Sequence, residues 1–221
     1  MIGPDAAELR VLGCLIEKQR TTPDAYPLSL NALRLAANQS TGRDPVVAYA
    51  EDELREAIAR LVRRGWARLA SGPGSRATKY RHLLDDALAL SDPQLAVLAV
   101  LMLRGPQTPG ELRQRTERLH EFPSMGALEG VLDELEDRRH VVRFERRPGQ
   151  KEARWGLSGP FATGEEPVTD EPLAAAAPYV AAAAPALAAA RDGGLAARVD
   201  ALEVGLGELR AVVAQLRELL D

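Results

Sequence analysis

The chain has 221 residues, 46% apolar and 27% charged, with 28 basic and 32 acidic side chains for a formal net charge of −4. That length allows one or two domains, and the apolar share is enough for packed cores, so wholesale disorder is excluded. Aromatics at 4% speak against a base-stacking surface for single-stranded nucleic acid, the lack of a run of about 18 apolar residues against a membrane span, and the start MIGPDAAELR against a signal peptide; the single cysteine, Cys14, excludes an internal disulfide, and a cytoplasmic location is expected.

Asp5 predicts the N-cap of a helix running to residue 17, with Leu9, Leu12, Gly13 and Ile16 on one face. Ser29 predicts the cap of a second helix, reaching residue 38, with Leu30, Leu33 and Ala37 inward. A third covers 51–64, where Leu54, Ile58 and Leu61 recur at helical spacing and Gly65 follows as the stop. Strands are predicted over 66–70 and 77–82, flanking the Gly-Pro-Gly of residues 72–74. The same order then returns: helices over 92–103, 108–119 and 124–138, and strands over 140–145 and 151–157 around Pro148-Gly149.

The return is an internal repeat. Leu9 and Leu12 match Leu95 and Leu98 at an offset of 86, as does Thr22-Pro23 with Thr108-Pro109. Leu54, Leu61 and Trp66 match Leu128, Leu135 and His140 at 74, and Tyr80 matches Trp155 at 75. The first copy thus holds about 12 extra residues, which we assign to the polar stretch 40–50. Three helices and a hairpin with a Pro-Gly tip is the order of the winged helix, a helix-turn-helix variant. The expected fold is mainly α with small β-hairpins (α+β), in two tandem winged-helix domains, 1–90 and 91–159.

Residues 160–192 predict an Ala/Pro-rich linker, since regularly spaced prolines interrupt an alanine-rich stretch. In residues 193–221, Leu195, Leu202, Leu209 and Leu216 fall at heptad position d, with Val199, Leu206, Val213 and Leu220 at a. This pattern predicts a homodimer through a C-terminal coiled-coil helix, or an amphipathic helix folded back on the body. The charge is uneven: residues 158–221 carry 4 basic and 10 acidic groups, so the tail is acidic and the body is not.

The words GCLIEKQRTTPDAYPLSLNAL, AANQSTGRDPVV and SGPGSRATKY in the first copy, and LMLRGPQTPGELRQR in the second, resemble the YceH-like family of bacterial proteins. The likeness covers residues 8–157. It implies tandem winged helices and no particular activity, since the family has no assigned function.

A winged helix directs attention to duplex DNA, with the third helix in the major groove and the wing on the backbone. The first hairpin, 68–81, holds Arg68, Arg76, Lys79 and Arg81 and no acid. The second, 143–154, holds Arg143, Arg146, Arg147, Lys151 and Arg154 against Glu145 and Glu152. Basic tips with glycine supply the charge and close approach that phosphate contact needs. The third helices are acidic and count against groove binding: Glu51, Asp52, Glu53 and Glu56 in one, Glu129, Asp133, Glu134, Glu136 and Asp137 in the other. The loop after the second helix adds Arg43 as a phosphate contact and Asn38 and Gln39 as base contacts, unless Asn38 caps its helix and Arg43 serves the loop itself. His82, His120 and His140 are scattered, and Cys14 lies among apolar neighbours, so no metal site, cofactor or catalytic group is expected. The expected function is non-enzymatic binding of duplex DNA through the wings; the alternative is an adaptor that meets a protein partner.

Overall fold

The computed structural model describes residues 3–70, 78–146 and 152–163. Helix α1 (Ala6–Thr21) opens on a reciprocal box: the Asp5 carboxylate accepts from Glu8 N at 2.8 Å and the Glu8 carboxylate accepts from Asp5 N at 3.1 Å. Ser29 Oγ accepts from Ala32 N to start α2 (Leu30–Ala37), and the Glu53 carboxylate accepts from Ala50 N to start α3 (Glu51–Arg63). Gly65, at φ +75°, turns the chain out of α3 into β2 (Ala67–Leu69), which pairs antiparallel with β3 (Lys79–His82). The two-residue strand β1 (Leu28–Ser29) lies on the other side of β3, giving the order β1-β3-β2.

A short helix, α4 (Leu84–Leu88), leads to the second copy: α5 (Asp92–Arg104), α6 (Pro109–Thr116), α7 (Met125–Asp137), β4 (Val141–Arg143) and β5 (Trp155–Leu157). Thr108 and Glu111 form the box that starts α6, and Ser124 caps α7. Gln107 bridges Trp155 where β1 pairs with β3 in the first copy. The mixed architecture of helices with small antiparallel sheets is the one expected. Neither β1 nor α4 was expected, since both are too short to display a period.

The caps also correct the placement of the extra residues. Asp5 and Ser91 are 86 apart, Ser29 and Thr108 are 79 apart, and Ala50 and Ser124 are 74 apart. Of the 12 added residues, three therefore lengthen α1 itself, four lie in the α1–α2 connection and five lie between α2 and α3. Thr22 follows the end of α1 whereas Thr108 starts α6, so that sequence match joins unlike places. Each lengthened connection holds a cis peptide bond, Tyr26-Pro27 in one and Asp44-Pro45 in the other.

The described residues belong to one unit, Met1–Val168. Its centre is the pairing of α1 with α5, the most extensive helix contact. Every residue of 9–16 and of 94–103 is buried. A helix is buried all round when it has neighbours on both sides; here one side is its own copy and the other is the opposite copy. Phe161, in the 3-10 turn Gly159–Phe161, is fully buried, with ring centroids 5.5 Å from Trp66 and 5.6 Å from His140. Packing thus continues past residue 159, where the linker was expected to begin. The rest of that linker, from residue 164, and the heptad helix 193–221 lie outside the described residues.

Candidate nucleic-acid interface

Side chains alternate across a strand, so the register of the first sheet sorts its faces. Leu28, Ala67 and His82 are buried on one face. Ser29, Arg68, Lys79 and Arg81 share the other, because Arg68 is directly opposite Arg81 and Ser29 opposite Lys79. Arg68 and Lys79 are exposed and Arg81 is half-buried. Neither Arg68 nor Arg81 makes an ion pair among the described residues, and the Arg81 Nε has no hydrogen-bond partner. Like charges directly across a strand pair destabilise the sheet, so this pair costs stability. Arg76 lies outside the described residues.

The second hairpin is less uniform. Arg143 and Arg146 are exposed, with the Arg143 guanidinium 6.0 Å from the Trp155 ring centroid. Glu129 and Glu152 line the same cleft of about 420 Å³ as these two arginines. Arg154 is engaged internally, donating to Pro106 O at 2.9 Å and to the Glu111 carboxylate at 3.0 Å. Arg147 and Lys151 lie outside the described residues.

The loop after α2 requires a correction. Arg43 is 5% exposed, and all five N–H groups of its guanidinium are bonded: to Ala36 O, Gly42 O, Gln39 Oε1 at 3.0 Å and both oxygens of Glu17, the shorter at 2.6 Å. Removing it from these partners to meet a phosphate would strip the half-buried Glu17 of its bidentate partner and leave it only Lys18, 3.7 Å away. Asn38 uses both ends of its amide on Tyr49, donating to O and accepting from N at 2.9 Å each. Gln39 gives its carbonyl oxygen to Arg43. Burial and these bonds overturn the expectation that Arg43 binds phosphate, and the two Tyr49 bonds the expectation that Asn38 reads bases; Asn38 at the C-terminal cap of α2 and Arg43 inside the loop fit the structural alternative instead.

The arginines of α3 are likewise taken. Arg55 pairs with Glu51 and Asp52, and Arg60 with Asp5 and Glu8. Arg64 donates to the buried Glu8 at 3.0 Å and to Gly3 O at 2.9 Å. Arg63 alone is exposed and makes no ion pair among the described residues, on a helix that also exposes Glu51, Asp52, Glu53 and Glu56. On α7 the exposed charges are all acidic: Glu129, Asp133, Glu134, Glu136 and Asp137. Arg138, which follows, donates to Leu88 O and Ala89 O.

Elsewhere, burial pushes the Cys14 thiol up to about 11, which keeps it protonated and unreactive at neutral pH. No cluster of His, Cys, Asp or Glu that could hold a metal is found among the described residues, and no helix among them is long and apolar enough to cross a membrane. Sequence reasoning missed Arg10, a buried cation on α1, since its neighbours Leu9 and Val11 mark the position only as apolar.

A family model described as "Protein of unknown function, DUF480" matches residues 5–150. The chain is 54% identical over 150 residues to a "UPF0502 protein" of Geotalea daltonii, a match covering 67% of this chain and 68% of the relative. It is 48% identical over 157 residues to a "UPF0502 protein" of Serratia proteamaculans, covering 68% and 73%. It is 46% identical over 157 residues to "UPF0502 protein YceH" of Salmonella paratyphi B, again covering 68% and 73%.

Proposed function

The chain belongs to the DUF480 family of bacterial proteins, the UPF0502 group that includes YceH, and for it we propose a non-enzymatic tandem winged-helix protein that holds duplex DNA by its phosphates. Two successive sets of three helices and a hairpin support the winged-helix reading. One observation carries the DNA reading: Arg68, Lys79 and Arg81 share a sheet face that bears no carboxylate. The acidic outer surfaces of α3 and α7 argue against insertion into a major groove. Contact is therefore with the backbone, of low sequence specificity and steeply dependent on salt. The C-terminal heptad supports a homodimer as the binding form.

Fluorescence anisotropy of a labelled duplex with the full chain, at rising salt, tests this. Saturable binding is expected at low salt. Arg68→Ala with Arg81→Ala lowers the slope of log K against log salt by about 2, as loss of two phosphate contacts requires. Absence of binding at low salt, or a folded double variant with an unchanged slope, overturns the reading.

The acid-only exposed surface of α7 favours a second reading, an adaptor that meets a basic protein surface. A stoichiometric protein partner recovered from lysate regardless of nuclease treatment, and lost on Asp133→Lys, would favour it over DNA.

A further inference from the structure

A cavity of about 380 Å³ opens between the two copies, within the roughly 300–1,000 Å³ of small-molecule sites. Its walls include Leu9 of α1, Leu101 and Met102 of α5, Phe144 and Leu157 of the second hairpin, and Phe161. Most of this lining is apolar, yet it includes Arg10, which is 4% exposed. The Arg10 guanidinium donates to two backbone carbonyls, Ala37 O at 3.1 Å and Pro45 O at 2.7 Å. Its Nε has no partner, and no carboxylate pairs with it among the described residues. The contrast with Arg43 is direct: that buried guanidinium has Glu17, and Arg10 has only neutral carbonyls. A cation withdrawn from water without an anion is held at a desolvation cost that a bound anion would offset. The other charged residue in the lining, Asp44, has an exposed side chain and forms no ion pair with Arg10.

We propose that this cavity binds a small monocarboxylate with an apolar body, the carboxylate meeting Arg10 and the body packing against the leucine, methionine and phenylalanine walls. The carboxylate supplies the charge that Arg10 lacks and accepts from N–H groups the two carbonyls leave unused. The apolar body accounts for the lining. A phosphorylated sugar or a dicarboxylate fits less well, because such ligands would bury further charges against walls that offer no second cation. This inference does not depend on the DNA reading.

Isothermal titration calorimetry of the full chain with octanoate, and with octanol as its uncharged counterpart, tests the proposal. Octanoate binds one saturable site, at least about tenfold more tightly than octanol. Arg10→Met removes that preference. Asp44→Asn, at an exposed side chain, tightens octanoate by about threefold and leaves octanol unchanged. Ala6→Trp, at an exposed position on the cavity rim, weakens both ligands. If Arg10→Met fails to fold, the Asp44 and Ala6 variants decide. No saturable octanoate binding to the native chain, equal affinity for octanol, or octanoate binding indifferent to both Asp44→Asn and Ala6→Trp overturns the proposal.

Discussion

His82 shows how burial sets chemistry at a single residue. Its ring is fully buried; Nδ1 accepts from Leu84 N at 3.3 Å, which leaves Nε2 to donate to Gln19 Oε1, while its backbone N donates to Tyr26 Oη at 2.9 Å. Burial pushes the imidazole pKa down to about 4, overriding Asp85, whose carboxylate lies 3.6 Å from Nδ1. The folded ring is thus neutral, whereas the unfolded ring takes up a proton near pH 6.5. Its stabilising contribution is complete above about 6.5 and is lost as pH falls toward 4, an effect on the order of 3 kcal/mol. His140, also lowered by burial, acts in the same direction. Urea denaturation at pH 7 and pH 4.5 checks this: His82→Gln narrows the difference between the two midpoints, and a gap equal to that of the native chain would refute the assignment. Arg43 teaches a related lesson about legibility. The sequence marked its loop as singular, and it is; but Glu17, the group that fixes Arg43 inward, is 26 positions away, so local chemistry could not separate a structural guanidinium from a ligand contact.

The elements themselves were legible wherever a cap or a long period announced them. Asp5 and Ser29 cap the helices expected of them, and Thr108 and Ser124, expected as the first residues of theirs, are the caps there. What escaped was short or relational: the two-residue β1, the single-turn α4, and the division of the extra length among the end of α1 and the two connections that flank α2. Gly13 was read as part of the apolar face of α1, and its reason lies on α5. A Cβ there would stand 2.9 Å from Leu103 Cγ and 3.1 Å from Met102 Cβ, so hydrogen alone permits the two helices to approach so closely. Gly13→Val forces them apart and destabilises by about 1–3 kcal/mol, despite the poor helix propensity of glycine. Chemical denaturation measures this; a Gly13→Val chain as stable as the native one would show that α5 does not constrain α1 there.

At the scale of the whole molecule, α1 and α5 make one core from two copies, and Phe161 seals it beyond the second hairpin. Trp66 and His140, equivalent positions of the repeat, both pack against its ring. Phe161→Ala removes a fully buried aromatic and costs about 3–5 kcal/mol. The loss appears as one shifted transition, with tryptophan fluorescence and far-ultraviolet circular dichroism changing together. A shift below about 1 kcal/mol, or two separated transitions, would contradict a shared core. The sequence disclosed the duplication but not this fusion, because periodicity reveals that a helix is apolar on every side without naming what covers the second side.

That doubled covering of α1 and α5 has a bearing on descent. A half cut out at residue 90 would carry a bare oily flank into water, so neither half is a portable module to be shuffled among other proteins. The siblings differ in length at the end of α1 and in the two connections that flank α2, outside the buried stretches 9–16 and 94–103 that form the seam.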